Sequence, residues 1–242
     1  MGDNFRKIEW QIIRLEEVDS TNEYAKRIAE TSPEGTVVVA RRQIAGKGRK
    51  GRSWASPKGG LWLSVILKPG RVDPRLVFVG ALAVVDMLAD FGISSGIKWP
   101  NDVWAAGKKI AGILTEGKGS EYVVLGIGIN VNNLVPEELR ESAVSMFELL
   151  GTKIPPERVL ERLLPHISGW YRVFLERPDL LMGKVREKTF ILGGTVRVIQ
   201  DEGELIGRAI DILDDGSLLL ETSSGLRRVV YGDVSLRFVE HI

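Results

Sequence analysis

Residues 97–132, "IKWPNDVWAAGKKIAGILTEGKGSEYVVLGIGINVN", carry three apolar runs separated by a turn near Gly107 and a second at "GKGS". That spacing predicts a meander of three strands, "IKWPNDVWA", "KKIAGILTE" and "EYVVLGIGINVN", and therefore an antiparallel sheet. Two features inside it are foreign to ordinary strands. Pro100 removes a ladder donor and Asn101–Asp102 prefers turns, so something local must compensate. Asp102 can hold a cation through water or orient Lys109 across the hairpin; alternatively this is a bulged hairpin with Lys108 and Lys109 solvated on opposite faces. In "GIGINVN", Gly126, Gly128 and Asn130 share one strand face, and Ile127, Ile129 and Val131 share the other. The two missing side chains leave a trough with a donor and an acceptor at its end. It suits a flat ligand, or equally the close packing of a helix.

Working outward, "TVVVA" (36–40) and "LWLSVILK" (61–68) read as buried strands on either side of a loop. Asp73 and Pro74 sit at N-cap and N1 of a long apolar helix that Gly92 ends. Earlier, Ser20 and Glu23 match a capping box for the helix "STNEYAKRIAE". Two or three helices follow from about Pro136 to Glu176, with Pro165 as a break or kink. Beyond Gly193, "TVRVIQ", "ELIGRAIDI", "SLLLET" and "LRRVVYGD" are short strands separated by "DEG", "DDG" and "SSG". They predict a small barrel of hairpins and a domain boundary near residue 190.

The loop between the first two strands holds six Lys or Arg and no acid from Arg41 to Arg52. The whole chain balances 33 basic against 32 acidic residues, which argues against a surface built to coat nucleic acid and makes any anion site local. Within "GKGRKGR", Gly46 to Arg52, glycines let the backbone approach an anion while Arg forks match phosphate or carboxylate oxygens. The loop ends in Trp54, an aromatic able to cover a ligand, and it lacks the Walker spacing. The chain contains no Cys and two His, His166 and His241, so thiolate metal sites and disulfides are excluded. The cytoplasm is the default compartment. The N-terminal "MGDNFRKIEWQIIRLEE" mixes charge through its apolar residues, unlike a signal peptide or a membrane helix.

Together, "STN" (20–22), "Q-x-x-G-K-G-R-x-G-R-x-W" (43–54), "GGLWLS" (59–64), "KWPND" (98–102), "GKKIAGIL" (107–114) and "GIGINVN" (126–132) resemble the biotin protein ligases in order and spacing. The resemblance implies an α+β fold: a mixed, mostly antiparallel sheet with helices, of the class II synthetase-like kind, over residues 1–190. A small SH3-like barrel over 191–242 would follow. It implies an enzyme that uses ATP and Mg²⁺ to activate biotin as biotinyl-5′-AMP and passes it to a lysine of a biotin carboxyl carrier protein. Catalytic roles would fall to Lys109, Arg49 and Asp102, with Asp102 positioning Mg²⁺ through water or Lys109 itself. Biotin would be held by Ser20, Thr21, Asn22, Gln43, Gly46, Lys47, Gly48, Arg49, Lys109 and Gly112. The adenylate would meet Arg49, Arg52, Trp54, Lys109 and Asn130.

Lys47 departs from the family's usual Arg, keeping the charge and losing the fork. The basic loop is expected to be mobile until ligand binds. Fewer than twenty residues precede Ser20, so the winged helix of the family's repressors is not expected, nor is a nucleic-acid or membrane partner. A homodimer through exposed strand edges stays open. Two alternatives are weaker. A lipoate or octanoate ligase or transferase would carry an "RRxSGGG"-like element, and a nucleic-acid module stacking bases on Trp54 and Trp62 fits poorly with the neutral charge.

Overall fold

The computed structural model describes residues 8–119, 121–200 and 203–230, and the backbone of 235–238. Seven strands form the main sheet: β1 (Gln11–Val18), β2 (Thr36–Gln43), β3 (Leu61–Leu67), β4 (Ser95–Lys98), β5 (Asp102–Ala105), β6 (Lys108–Lys118) and β7 (Tyr122–Ile129). Their order is β1-β2-β3-β7-β6-β5-β4. Only β1 and β2 run parallel; the other neighbours are antiparallel.

The sheet has two unlike faces. On one, Leu61, Leu63, Val65 and Leu67 of β3 and Val123, Leu125, Ile127 and Ile129 of β7 pack into the main core. There they meet α2 (Leu76–Asp90), which is apolar all round because it lies between this sheet and α4 (Pro156–Glu176) and α5 (Pro178–Lys188). On the other face, Val38, Ile66 and Val124 pack with Ala25 of α1 (Thr21–Ile28) and with Ala29 at its C-cap. The helix is short, and the rest of that face is left for the site. A short α3 (Met146–Leu150) follows β7, opened by a capping box at Ser145 and Glu148.

Several expectations change. "IKWPNDVWA" is two strands, because the Pro–Asn pair that cannot sit in a ladder makes the hairpin turn between β4 and β5, with a cis Trp99–Pro100 bond. Ser20 does not form the capping box: its side chain makes no cap bond, and the first helical N–H of α1 goes instead to Gln43 Oε1 at 2.8 Å. Pro165 neither ends nor interrupts α4. β1 and α5 were not read in advance; β1 has mixed charge on both sides and is held by its parallel register with β2.

The C-terminal strands β8 (Thr195–Gln200), β9 (Gly203–Ile212), β10 (Leu218–Thr222), β11 (Gly225–Val229) and β12 (Ser235–Phe238) make a five-stranded antiparallel sheet, ordered β11-β10-β9-β8-β12. The end of "LRRVVYGD" and most of the "DEG" turn lie outside the described residues. This sheet shares the main core through Val196, Val198, Ala209 and Ile212. Trp99 Nε1 donates to the Gly216 carbonyl at 2.8 Å, and Arg186 binds Asp211 and Asp214 across the same seam.

Candidate functional site

A cleft of about 610 Å³ opens on the α1 face of the sheet, bounded by α1, the basic loop, the β4–β5 turn and the strands β6 and β7. Every predicted site residue except Gly46 lines it. Gly46 lies behind the wall, where a Cβ would come within 2.5 Å of the Trp54 carbonyl and 2.6 Å of Ser56 Oγ.

One end of the cleft is polar and uncharged. Thr21 donates to Gln43 Oε1 through its N–H at 2.8 Å and its hydroxyl lies 3.0 Å from the same oxygen. Gln43 Nε2 donates to Ser56 Oγ at 2.7 Å, and Ser56 donates to the Trp54 carbonyl. Ser20, Thr21 and Asn22 are all buried at the start of α1. Behind them, Ser64 Oγ stands 2.8 Å from Thr21 Oγ1 and 2.6 Å from Asn22 Oδ1, and Asn22 Nδ2 donates to Glu116.

The middle is cationic. Lys109 Nζ sits 2.7 Å from Asp102 Oδ1 and 4.9 Å from the centre of the Trp54 ring. A β-bulge puts it there. Val103 pairs with Ala111 but Trp104 pairs with Lys109, so Ile110 is the extra residue. The insertion reverses the alternation of β6: Ile110 turns into the core, and Lys109 joins Gly112 on the cleft face. Lys108 points elsewhere and donates to the Arg140 carbonyl.

The loop crosses the cleft from both banks. On one side Lys47 pairs with Glu23 at 2.5 Å, and Glu23 is held below the usual carboxylate range by Lys26 first and Lys47 second. On the other, Arg49 Nη1 donates to Asn101 Oδ1 at 3.2 Å. Asn101 is in turn fixed by its own Nδ2 donating to the Ile113 carbonyl. Arg52 and Lys98 bring further positive charge to the same cleft, and Lys98 lies 3.8 Å over the Trp104 ring.

The glycine trough is filled by the protein's own side chains. A Cβ on Gly128 would meet Trp54 Nε1 at 2.6 Å, one on Gly112 would meet the same indole at 2.9 Å, and one on Gly126 would meet Asn22 Oδ1 at 2.1 Å. The trough is thus the seat of Trp54 and Asn22, and a ligand would rest on the indole. Asn130 is also spoken for: its Nδ2 donates to the Val144 carbonyl and its Oδ1 accepts from Asn133. Asn101, Lys98, Trp104, Ser64 and Glu116 were not singled out beforehand; only the oddity of "WPND" pointed at one of them.

No group of three acidic or His side chains that would hold a metal occurs among the described residues. Asp102 is the one carboxylate lining the cleft among them, with one oxygen given to Lys109. That donor set suits a magnesium ion, which takes one or two carboxylates together with substrate phosphates. It does not suit a metal caged by protein alone.

This cleft is neutral and hydrogen-bonding at one end and cationic in the middle. Residues 15–132 match the Biotin/lipoate A/B protein ligase family, and residues 191–237 match the Biotin protein ligase C terminal domain. The chain is similar to the bifunctional ligase/repressor BirA of Bacillus subtilis, 37% identical over 90% of this chain and 72% of that one. It is also similar to the biotin–[acetyl-CoA-carboxylase] ligase of Mycobacterium tuberculosis, 35% identical over 83% and 79% of the two chains. Among solved structures, the biotin protein ligase from Aquifex aeolicus in complex with biotin and ATP superposes with a TM-score of 0.85, at 35% identity, over 95% of this chain and 99% of that one. Fold, motifs and both halves of the sequence agree, and the chain belongs to the biotin protein ligases of the Biotin/lipoate A/B protein ligase family.

Proposed function

We propose that this ATP-dependent biotin ligase activates biotin at Lys109 and completes the transfer to its carrier from the same cleft. The biotin carboxylate oxygen attacks the α-phosphorus of ATP; the new O–P bond forms as the bond to the β-phosphate bridge breaks and pyrophosphate leaves. A carrier lysine, as the free amine, then attacks the acyl carbon of biotinyl-5′-AMP. The C–N bond forms, AMP leaves on the broken C–O bond, and the amine's extra proton goes to solvent.

The observation that carries this reading is the Lys109–Asp102 pair, set by the bulge on the same face as Gly112, with the Lys109 ammonium over the Trp54 ring. In the first step an anion must approach an anion. Two unit charges ~4 Å apart repel by roughly 4 kcal/mol at an effective dielectric near 20. That is about three powers of ten in rate. A fixed ammonium between carboxylate and α-phosphate offsets it, and Asp102 keeps that ammonium in place before substrates arrive.

Arg49 and Arg52 meet the phosphates, Trp54 carries the adenosine, and Ser20, Thr21 and Gln43 take the ureido ring. Asn22, Lys47 and Gly48 line the biotin end and Gly46 shapes it from behind, Gly112 gives Trp54 its seat, and Asn130 braces the adenylate end. Asp102 would hold Mg²⁺ through water; the ion supplies charge neutralisation of the phosphates when bound. The acceptor is a biotin carboxyl carrier domain, and the compartment that suits a chain without Cys is the cytoplasm. Among the described residues no helix is long and apolar enough to cross a membrane. The outer edge of β1 is the strand edge on which a homodimer would form.

The test is to mix the protein with MgATP, biotin and a carrier domain. The expected result is one added biotin mass on one lysine, absent when magnesium is chelated. Octanoate or lipoate transferred in preference to biotin would overturn the reading.

A further inference from the structure

Asn101 is the residue through which the β4–β5 turn is fastened to β6. Its backbone carbonyl accepts from the Ile113 N–H at 2.9 Å, and its side-chain Nδ2 donates to the Ile113 carbonyl, also at 2.9 Å. Because Asp102 pairs with Gly112, a ladder continued by one residue would set Asn101 opposite Ile113 and exchange two backbone bonds between them. Here the side-chain amide serves the Ile113 carbonyl in place of a backbone N–H.

That clamp fixes which way the amide points. With Nδ2 turned to Ile113, Oδ1 faces the opposite way, where it accepts from Arg49 Nη1 at 3.2 Å. Both residues line the cleft. Arg49 stands at the tip of a hairpin: the Trp54 N–H donates to the Gly46 carbonyl at 2.8 Å and the Gly48 N–H to the Arg52 carbonyl at 2.7 Å, with Lys50 and Gly51 at positive φ in the turn. A long side chain at such a tip has many rotamers to give up before it can meet a ligand. Asn101 gives this one a fixed destination. As a neutral acceptor it does so without adding negative charge where phosphates must enter, whereas Lys109 is placed by the carboxylate of Asp102.

We infer that Asn101 is a positioning residue for Arg49: its amide, oriented by Ile113, aims the guanidinium into the middle of the cleft before substrates arrive. The inference rests on the proposed reading that Arg49 meets the phosphates of ATP. It gives Asn101 no contact with substrate and no part in placing Lys109.

The experiment is a double-mutant cycle on the full chain, read as kcat/KM for ATP in the release of pyrophosphate at saturating biotin. Arg49→Ala removes a charge at the phosphates and should lose at least about a hundredfold. Asn101→Ala keeps the guanidinium but leaves it unaimed, and should lose about tenfold. The double variant should match Arg49→Ala to within about twofold, because nothing is left to aim. The Ile113 carbonyl loses its side-chain partner in both Asn101 forms, so a merely structural role, or a direct contact with ATP, would put the double variant about tenfold below Arg49→Ala.

Should Asn101→Ala not fold, Asn101→Ser carries the same cycle, since its single hydroxyl can donate toward the Ile113 carbonyl but is too short to reach Arg49 as well. A wild-type rate in the Asn101 variant, or losses that multiply in the double variant, overturns the inference while leaving Arg49 at the phosphates. An Arg49→Ala variant within a few fold of wild type overturns both.

Discussion

Lys109 is the residue on which most of the chemistry converges. A single preorganised charge at a developing transition state is worth about 10²–10³ in rate. Lys109→Ala should therefore slow pyrophosphate release in the first half-reaction by at least ~10², with a far smaller effect on transfer from preformed biotinyl-5′-AMP. A variant within a few fold of wild type in the first step would remove Lys109 from the mechanism. Next to the polar end of the cleft, Asp19 accepts from Arg27 first and from the Ser20 N–H second, which brings its pKa down to about 2. Its folded value lies below its unfolded value, so the stability it adds is present above pH ~4 and is lost as pH falls toward 2. The pair is largely exposed, so the effect is small, below about 1 kcal/mol. Urea titrations of Asp19→Asn should show it less stable than wild type at pH 6 and equal to it near pH 2.

At the scale of elements, the site depends on a close approach between a loop residue and two strands. Gly128→Ala puts a methyl group 2.6 Å from the Trp54 indole, against strand backbone that cannot yield, so Trp54 must leave its seat. The expected outcome is a several-fold higher KM for ATP with a red-shifted tryptophan emission and nearly unchanged stability. A normal KM would mean that the indole is not the adenosine platform. The loop above it is tied to α1 by Lys47 and to the β4–β5 turn by Arg49, with Lys50 and Gly51 exposed just after them. Trypsin cleavage between Lys47 and Arg52 should slow at least several-fold with biotin and ATP present; equal rates would show that ligand does not order this segment.

At the scale of the whole molecule, the C-terminal sheet is joined to the main core by apolar packing and by the Trp99 indole, which donates to the Gly216 carbonyl from a fully buried position. Trp99→Phe keeps the aromatic bulk and orphans that carbonyl, which costs about 1–3 kcal/mol. In a chain of this length that lowers Tm by roughly 2–4 °C per kcal/mol. Calorimetry should show one transition moving to lower temperature. Two separated transitions would show that the seam is not part of one cooperative unit.

The sequence by itself determined which segments are strands and helices wherever the pattern is local. Alternation in "LWLSVILK" and "GIGINVN" assigns core and cleft faces, and turn residues mark the hairpins near Gly107 and at "DDG". It also determined the family, because long motifs in fixed order carry that information without coordinates. It missed β1, whose charged alternation is stabilised by a neighbour rather than by its own pattern, and it ran β4 and β5 together across Pro100. The family motif named Lys109, but only the tertiary structure shows how it, and not Lys108, comes to face the cleft. Period-2 counting from Gly112 puts Lys109 on the core side, and the unpaired Ile110 reverses that phase through a register shift that depends on β5. Likewise, that Gly112, Gly128 and Gly126 seat Trp54 and Asn22 depends on segments roughly 60 to 100 residues away folding onto them, and local spacing contains no information about which distant side chain fills a trough.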